Sequence, residues 1–220
     1  EVNGEVRMKY RFVGDIHGQI DVMKLALDCD ADRIIFVGDL VDSFRRSFEH
    51  QYDCVYLALQ LAGNGRVDVM WANHEWSYLH RDMRCSGWHP QTQTFISANR
   101  EEILKRFKPF LYEAGYLVTH AGLTNQLWKK HNMSLDTFQH TLTQWAKSTD
   151  SPFFDIGYYR GGNKPYGGPL WCDFNGEFRP IPELPQIFGH TRGNGLRQKD
   201  NVWCIDTLEN TKPQFLDLEV

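Results

Sequence analysis

The chain has 220 residues, 41% of them hydrophobic and 24% charged, with a formal net charge of −4. A chain of that size sustains one core, whereas a split would leave two weakly stabilised halves, so residues 1–220 are expected to form a single domain. The acidic balance excludes the basic face that broad nucleic-acid binding needs, and no long apolar run or basic-then-apolar leader points to a membrane.

The first residues, EVNGEVR before Met8, read in part as a cloning remnant and carry no functional weight. Tyr10 to Val13 is predicted as a strand and Gln19 to Cys29 as a helix with Ile20, Met23 and Leu27 on one face. A second strand, Arg33 to Val37, is nearly continuous apolar sequence. A helix from His50 to Ala62 stops at Gly63-Asn64-Gly65, ahead of a third strand at Val67 to Trp71. This βαβαβ opening predicts a layered α/β fold. From Trp76 to Gly115 the pattern weakens, with one helix near Thr94 to Lys105, and residues 76–115 read as an insertion or cap-like segment beside a site. Leu117 to Thr119 resumes as a strand, and Ser134 is expected to cap a helix running to Ala146. Pro152 to Gly168 is loop-like, and short strands follow at Gln186 to Phe188, Val202 to Ile205 and Gln214 to Leu218. Cys29, Cys54, Cys85, Cys172 and Cys204 form no CxxC pair, and their odd number favours a reducing, cytoplasmic setting over disulfides or structural zinc.

Chemistry-bearing residues follow the apolar runs. Asp15 and His17 in Gly14-Asp15-Ile16-His17-Gly18 emerge after the first strand, Asp39 and Asp42 after the second, and Asn73-His74-Glu75 after the third. Open α/β sheets place ligands at those carboxyl ends. Thr119-His120-Ala121-Gly122 and Phe188-Gly189-His190-Thr191 repeat the arrangement downstream. A lone histidine there is ordinarily a packed residue, but the ordered set makes both candidate ligands. Mixed carboxylate, imidazole and amide donors suit Mn, Fe or Zn rather than an all-oxygen Mg or Ca cage.

The series GDIHGQ, GDLVD, NHE, HAGL and GHT, from Gly14 to Thr191, resembles the phosphoprotein phosphatase branch of the calcineurin-like metallophosphoesterases. It resembles in particular the short bacterial and phage serine/threonine phosphatases. The resemblance implies a central β-sandwich flanked by helices and two divalent cations, manganese foremost with iron or zinc as alternatives. It assigns Asp15 and His17 to the first cation, Asp39 to both, and Asn73, His120 and His190 to the second. A hydroxide bridging the pair would attack phosphorus in line, while His74, oriented by Asp42, protonates the departing oxygen.

Two family features are missing. Ser43 stands where an arginine gripping the phosphate usually follows GDxVD, and Trp71-Ala72 precede Asn73 where another arginine is common. Arg45 and Arg46 are candidate substitutes, Arg160 in Tyr159-Arg160-Gly161-Gly162 a better one, and Arg192 a further one. The aromatics Trp76, Tyr78, Trp88, Phe153, Phe154, Tyr158, Tyr159 and Tyr166 are read mainly as core, with some free to line a groove or stack on a base. The leading expectation is hydrolysis of phosphomonoesters on phosphorylated proteins or small molecules, by a serine/threonine phosphatase with tyrosine phosphate as a further substrate. A hydrolase of dinucleoside polyphosphates or nucleotide phosphodiesters is the enzymatic alternative, and a catalytically silent binding scaffold the non-enzymatic one.

Overall fold

A computed structural model describes residues 7–80, 84–207 and 212–220. In chain order the elements are β1 Lys9–Val13, α1 Ile20–Leu27, β2 Arg33–Phe36, α2 Phe48–Leu61, β3 Val67–Val69 and α3 Asn73–Leu79. Then come α4 Pro90–Ala98, α5 Arg100–Arg106, β4 Leu111–Glu113, β5 Tyr116–Val118, α6 Asn125–Lys130 and α7 Phe138–Trp145. After two 3-10 turns, Pro152–Phe154 and Tyr158–Arg160, the chain ends in β6 Gln186–Phe188, β7 Arg197–Lys199, β8 Val202–Cys204 and β9 Leu216–Glu219.

The strands form two sheets, β3-β2-β1-β9 and β4-β5-β6-β8-β7. In the first, β1, β2 and β3 are parallel and β9 closes the edge antiparallel; in the second, β5, β6 and β8 are parallel between antiparallel edges β4 and β7. Phe12, Ile35, Val37 and Met70 from the first sheet side meet Val118, Ile187 and Ile205 from the second in one buried cluster, so the sheets pack face to face. The alternate residues of β2, Ile34 and Phe36, point the other way, into a cluster with Met23, Ala26, Cys54 and Val55 of α1 and α2. Covered on both faces, β2 has no polar side to show, which is why its sequence is an unbroken apolar run. The outer face of the second sheet is closed by Ala121, Cys172, Phe174 and Phe178 packed on Phe188, Val202 and Cys204. The expected sandwich flanked by helices is therefore present. No helix among the described residues is long and apolar enough to cross a membrane.

Several local expectations are corrected. α2 begins at Phe48 because Ser47 caps it, its Oγ accepting from the His50 N–H at 3.4 Å. The single helix over Thr94 to Lys105 is two helices, parted at Asn99, whose side-chain amide donates to the Phe95 carbonyl at 2.9 Å. Ser134 bonds with Thr137 in a turn, and α7 starts only at Phe138. Two strands had no apolar signature: β4, joined to β5 by Ala114 and Gly115, both at positive φ (53° and 78°), and the polar edge strand β7, joined to β8 through Asp200 at φ 52°. Of the aromatic residues, Trp76, Tyr78, Phe153 and Phe154 are buried, whereas Tyr158 and Tyr159 are exposed.

Candidate metal centre

Six parallel strands deliver their carboxyl ends to one region. Asp15 and His17 follow β1, Asp39 follows β2, Asn73 opens α3 just after β3, His120 follows β5, His190 follows β6 and Asp206 follows β8. The turns that present them are unusual for non-glycine residues: His17, Asp39, Asp42 and His190 all have left-handed backbones, with φ of 42°, 51°, 63° and 65°. Each such conformation costs on the order of 1–3 kcal/mol, so the surroundings must hold it. Glu75 does this for the loop after β2. Its buried carboxylate accepts from the backbone N–H groups of Asp39 (3.1 Å), Leu40 (2.7 Å) and Val41 (3.3 Å). The Asp39 carbonyl in turn accepts from the N–H groups of Ile16 and His17 at 2.9 and 2.7 Å, tying the first two strand ends together. Gly38 (φ 103°) and Gly189 are required by space: a Cβ on the first would lie 2.4 Å from the Ala72 Cβ and on the second 2.2 Å from Asp15 Oδ1.

Each candidate donor is aimed by a neighbour. His17 Nδ1 donates to the Val41 carbonyl (2.7 Å) and His120 Nδ1 to the Val37 carbonyl (2.9 Å), which leaves both Nε2 atoms turned to Asp39 Oδ2, at 3.6 and 3.4 Å. Asn73 Nδ2 donates to Cys85 Sγ at 3.4 Å and the thiol donates back to the Asn73 carbonyl at 3.3 Å, so Asn73 Oδ1 faces inward. That oxygen lies 2.7 Å from His120 Nε2 and 3.0 Å from His190 Nδ1, and the two nitrogens are 3.0 Å apart. Asp15 Oδ1 accepts from the His190 N–H at 3.0 Å. Ligand atoms of Asp39, His120 and His190 all fall within 4.8 Å of one another, as do those of His17, Asp39 and His74.

A convergence of lone pairs at these distances is repulsive unless a positive charge sits among them, so the donor set fits divalent cations. Without one, a proton takes the place. Burial opposes the charge, but Asp39 and then Asp15 raise the His120 imidazole to about 9. Burial and the neighbouring His120 hold His190 well below its usual value. Asp39 stays well below the ordinary carboxylate range because His120 and His74 outweigh its burial, while burial lifts Asp15 to about 6.

Beside the donors stands a second pair. His74 Nδ1 lies 2.8 Å from Asp42 Oδ2, and its Nε2 faces Asp39 Oδ2 at 3.9 Å. Asp42 Oδ1 accepts from the Tyr78 hydroxyl, and the Asp42 N–H donates to Gln51 Oε1 at 2.8 Å. Burial works against protonation of His74, yet Asp39 and the Asp42 hydrogen bond bring it to about 9. Asp15, His17, Asp39, Asp42, Asn73, His74 and His190 border an open cavity of about 600 Å³, lined also by Ser43, Phe44, Arg84, Arg160, Arg192 and Trp171.

The six residues expected to hold cations, and the His74–Asp42 pair, thus lie together. Arg160 and Arg192 line the cavity, whereas Arg45 and Arg46 do not. Both of their N–H groups donate to Ser43 Oγ and the Arg46 guanidinium turns to Asp21 at 3.4 Å, whereas Phe44, between Ser43 and Arg45, lines the cavity. Sequence reasoning missed Asp206 and Arg84. Asp206 ends the apolar run Val202 to Ile205 and so obeys the same strand-end rule as Asp15 and Asp39; Arg84 has no such signal.

The family model for calcineurin-like phosphoesterases matches residues 8–194. Among solved structures, the chain is similar to a cold-active protein-tyrosine phosphatase from a psychrophilic Shewanella species, at 17% identity and TM-score 0.68, over 96% of this chain and 75% of that one. It is also similar to a protein serine/threonine phosphatase from Saccharomyces cerevisiae, at 17% identity and TM-score 0.52, over 93% and 68% of the two chains. At these identities the likeness is one of fold. No curated protein sequence matches the chain significantly.

Proposed function

The chain belongs to the calcineurin-like phosphoesterase family of metal-dependent hydrolases, and from that premise we propose that it is a phosphomonoesterase acting on phosphorylated protein side chains, serine/threonine and tyrosine alike. The observation that carries this reading is the meeting of Asn73 Oδ1, His120 Nε2 and His190 Nδ1 within 3.0 Å, next to Asp39 and across from the His74–Asp42 pair. Asp15, His17 and Asp39 would hold one divalent cation, and Asp39, Asn73, His120 and His190 the other; imidazoles mixed with oxygen donors suit manganese, iron or zinc, and the family resemblance puts manganese first. Bound there, such a pair supplies a nucleophilic water at neutral pH and neutralises charge on the phosphoryl oxygens.

The chain's own residues do the remainder. Hydrolysis breaks the ester phosphorus–oxygen bond and leaves its electron pair on the departing oxygen, which needs a proton. His74 gives it from Nε2, because Nδ1 is committed to Asp42 and that bond fixes both the tautomer and the ring direction. Arg160 reaches the cavity from the second 3-10 turn, where its Nη2 donates to Thr191 Oγ1 (2.8 Å) and pairs with Asp173 (3.0 Å), a support for orienting a phosphate oxygen. The core shared by both sheets supports a single domain, and five unpaired thiols suit a reducing compartment such as the cytoplasm.

One feature favours a second reading. Phe44, beside Ser43 on the cavity rim, is 78% exposed, a ring on which the base of a dinucleoside polyphosphate or nucleotide diester would stack. A screen of protein reconstituted with Mn separates the two: phosphopeptides and aryl phosphates should be turned over well ahead of dinucleoside polyphosphates and nucleotide diesters. The reverse ranking would replace the proposal, and metal binding without any turnover would return the chain to a scaffold.

A further inference from the structure

A phosphate held against two cations still presents oxygens outward, and a planar guanidinium matches two of them at once. The usual residue for this is absent at Ser43, and Arg45 and Arg46 stay outside the cavity. Arg160 lines the cavity but its charge is answered by Asp173 at 3.0 Å, and the same Nη2 also bonds the His190 carbonyl and Thr191. Its first duty is to fasten its turn to the loop after β6.

Arg84 is built differently. It is an exposed residue on the connection between α3 and α4, it lines the cavity, and no carboxylate among the described residues pairs with it. Its guanidinium carbon sits 4.2 Å from the Trp88 ring centroid. Stacking of that kind occupies the flat face of the guanidinium and leaves the in-plane N–H edge open to an anion. The Trp88 ring is itself fixed, lying 6.0 Å from Tyr78 at an interplanar angle of 19°. The Tyr78 hydroxyl donates to Asp42 and accepts from the His89 N–H at 3.0 Å. At Gly87 (φ 86°) the same connection touches Asp42, where a Cβ would lie 3.1 Å from the aspartate Cβ. Arg84 is thus referenced, through two stacked rings, to the aspartate that aims His74.

We propose that Arg84, beside Arg160, supplies a phosphate-gripping guanidinium from the α3–α4 connection in place of the arginine missing at position 43. The assignment rests on the phosphoesterase reading for its substrate but names a residue that reading does not require. The test uses full-length protein loaded with Mn and inorganic phosphate as the probe, titrated calorimetrically, with 4-nitrophenyl phosphate kinetics alongside. Arg84→Ala should leave the Mn content unchanged and weaken phosphate binding about 10- to 100-fold, with KM for the ester rising in parallel. Arg84→Lys should recover only part of that loss, since a point charge lacks the fork. Unchanged phosphate affinity in Arg84→Ala at full Mn content overturns the assignment while leaving the phosphoesterase reading intact. Arg84-dependent phosphate binding in a protein that hydrolyses nothing does the opposite.

Discussion

The two halves of the candidate metal centre are built to different standards of enclosure. On one side Asn73, His120 and His190 are buried beyond the ends of β3, β5 and β6, and the His120 side chain has no exposed surface at all. On the other, His17 and His74 keep 27% and 13% of their side chains exposed to the open cavity. Asp39, 2% exposed, stands between them. The closed half is held by packing and by backbone carbonyls, so its geometry persists whatever enters the cavity. Asn73 and His190 also line the cavity, but the open half offers a phosphoryl group and a departing oxygen the wider approach. Under the proposed reading, the first half stores a cation and the second half performs the exchange of substrate and proton.

Asp39→Asn is the substitution that should erase the distinction, because this carboxylate serves both halves. Turnover is expected to fall by more than about 10⁴-fold, beyond the worth of a general acid, and metal content to drop in both positions. Elemental analysis together with aryl phosphate turnover reads this; near-normal turnover removes Asp39 from the bridging role. His74→Asn should touch the open half alone. Both cations should remain, while hydrolysis of esters with poor leaving groups slows by about 10²–10⁴-fold and that of nitrophenyl esters much less. An equal loss for both ester classes would mean that His74 delivers no proton.

That the residues meeting at the candidate centre stand out in the sequence has a physical cause. Strands covered by other elements are rich in apolar residues, most completely in β2, and the polar residues just beyond them mark the carboxyl ends, so Asp15, Asp39 and Asn73 announce themselves. His120 and His190 follow equally apolar β5 and β6. Asp206 obeys the same rule after Val202 to Ile205, but no motif surrounds it. What the sequence hid depends on contacts between distant segments. α3 is seven residues long, and nothing local marks Asn73 as its first residue. The hydrogen bonds of Cys85 to Asn73 and the stacking of Trp88 on Tyr78 arise only when the α3–α4 connection folds onto the loop after β2. The direction of the Arg45 and Arg46 side chains, which do not line the cavity, is likewise set by packing.

Proton competition offers a gentler way to tell the halves apart. In the metal-free protein His120, at about 9, holds a proton that a cation must displace, so the affinity of the closed half should climb about tenfold per pH unit from pH 7 and level off near 9. Burial keeps His17 below its usual value and Asp15 at about 6 is already ionised, so the open half holds no proton on a ligand atom for a cation to displace; the charge on His74 beside it, also lost near 9, only repels the cation, and affinity there should climb more shallowly. Mn titrations at pH 7, 8 and 9 should therefore show one binding step moving steeply and one shallowly. The sign for stability is the reverse. The raised His120 value stabilises the metal-free fold fully below pH 6.5, its unfolded value, and that contribution is lost as pH rises through 9. Two steps moving equally steeply would show that the halves are not separately built.

The smallest effect should come from Tyr78→Phe, which removes one hydroxyl from the open half without emptying the space its ring fills. Asp42 would lose its bond at Oδ1 and keep the one from His74 at Oδ2, so the histidine should stay protonated and in place, with a slackened aim. Outer partners of this sort are worth about 10- to 100-fold, and retention of the ring puts the expectation at the lower end, about tenfold in kcat for poor leaving groups. Because the Trp88 ring still stacks on position 78, KM and inorganic phosphate affinity should barely move. A variant that lost phosphate affinity instead would place Tyr78 in support of Arg84 rather than of His74, and would shift proton delivery onto Asp42 and His74 alone.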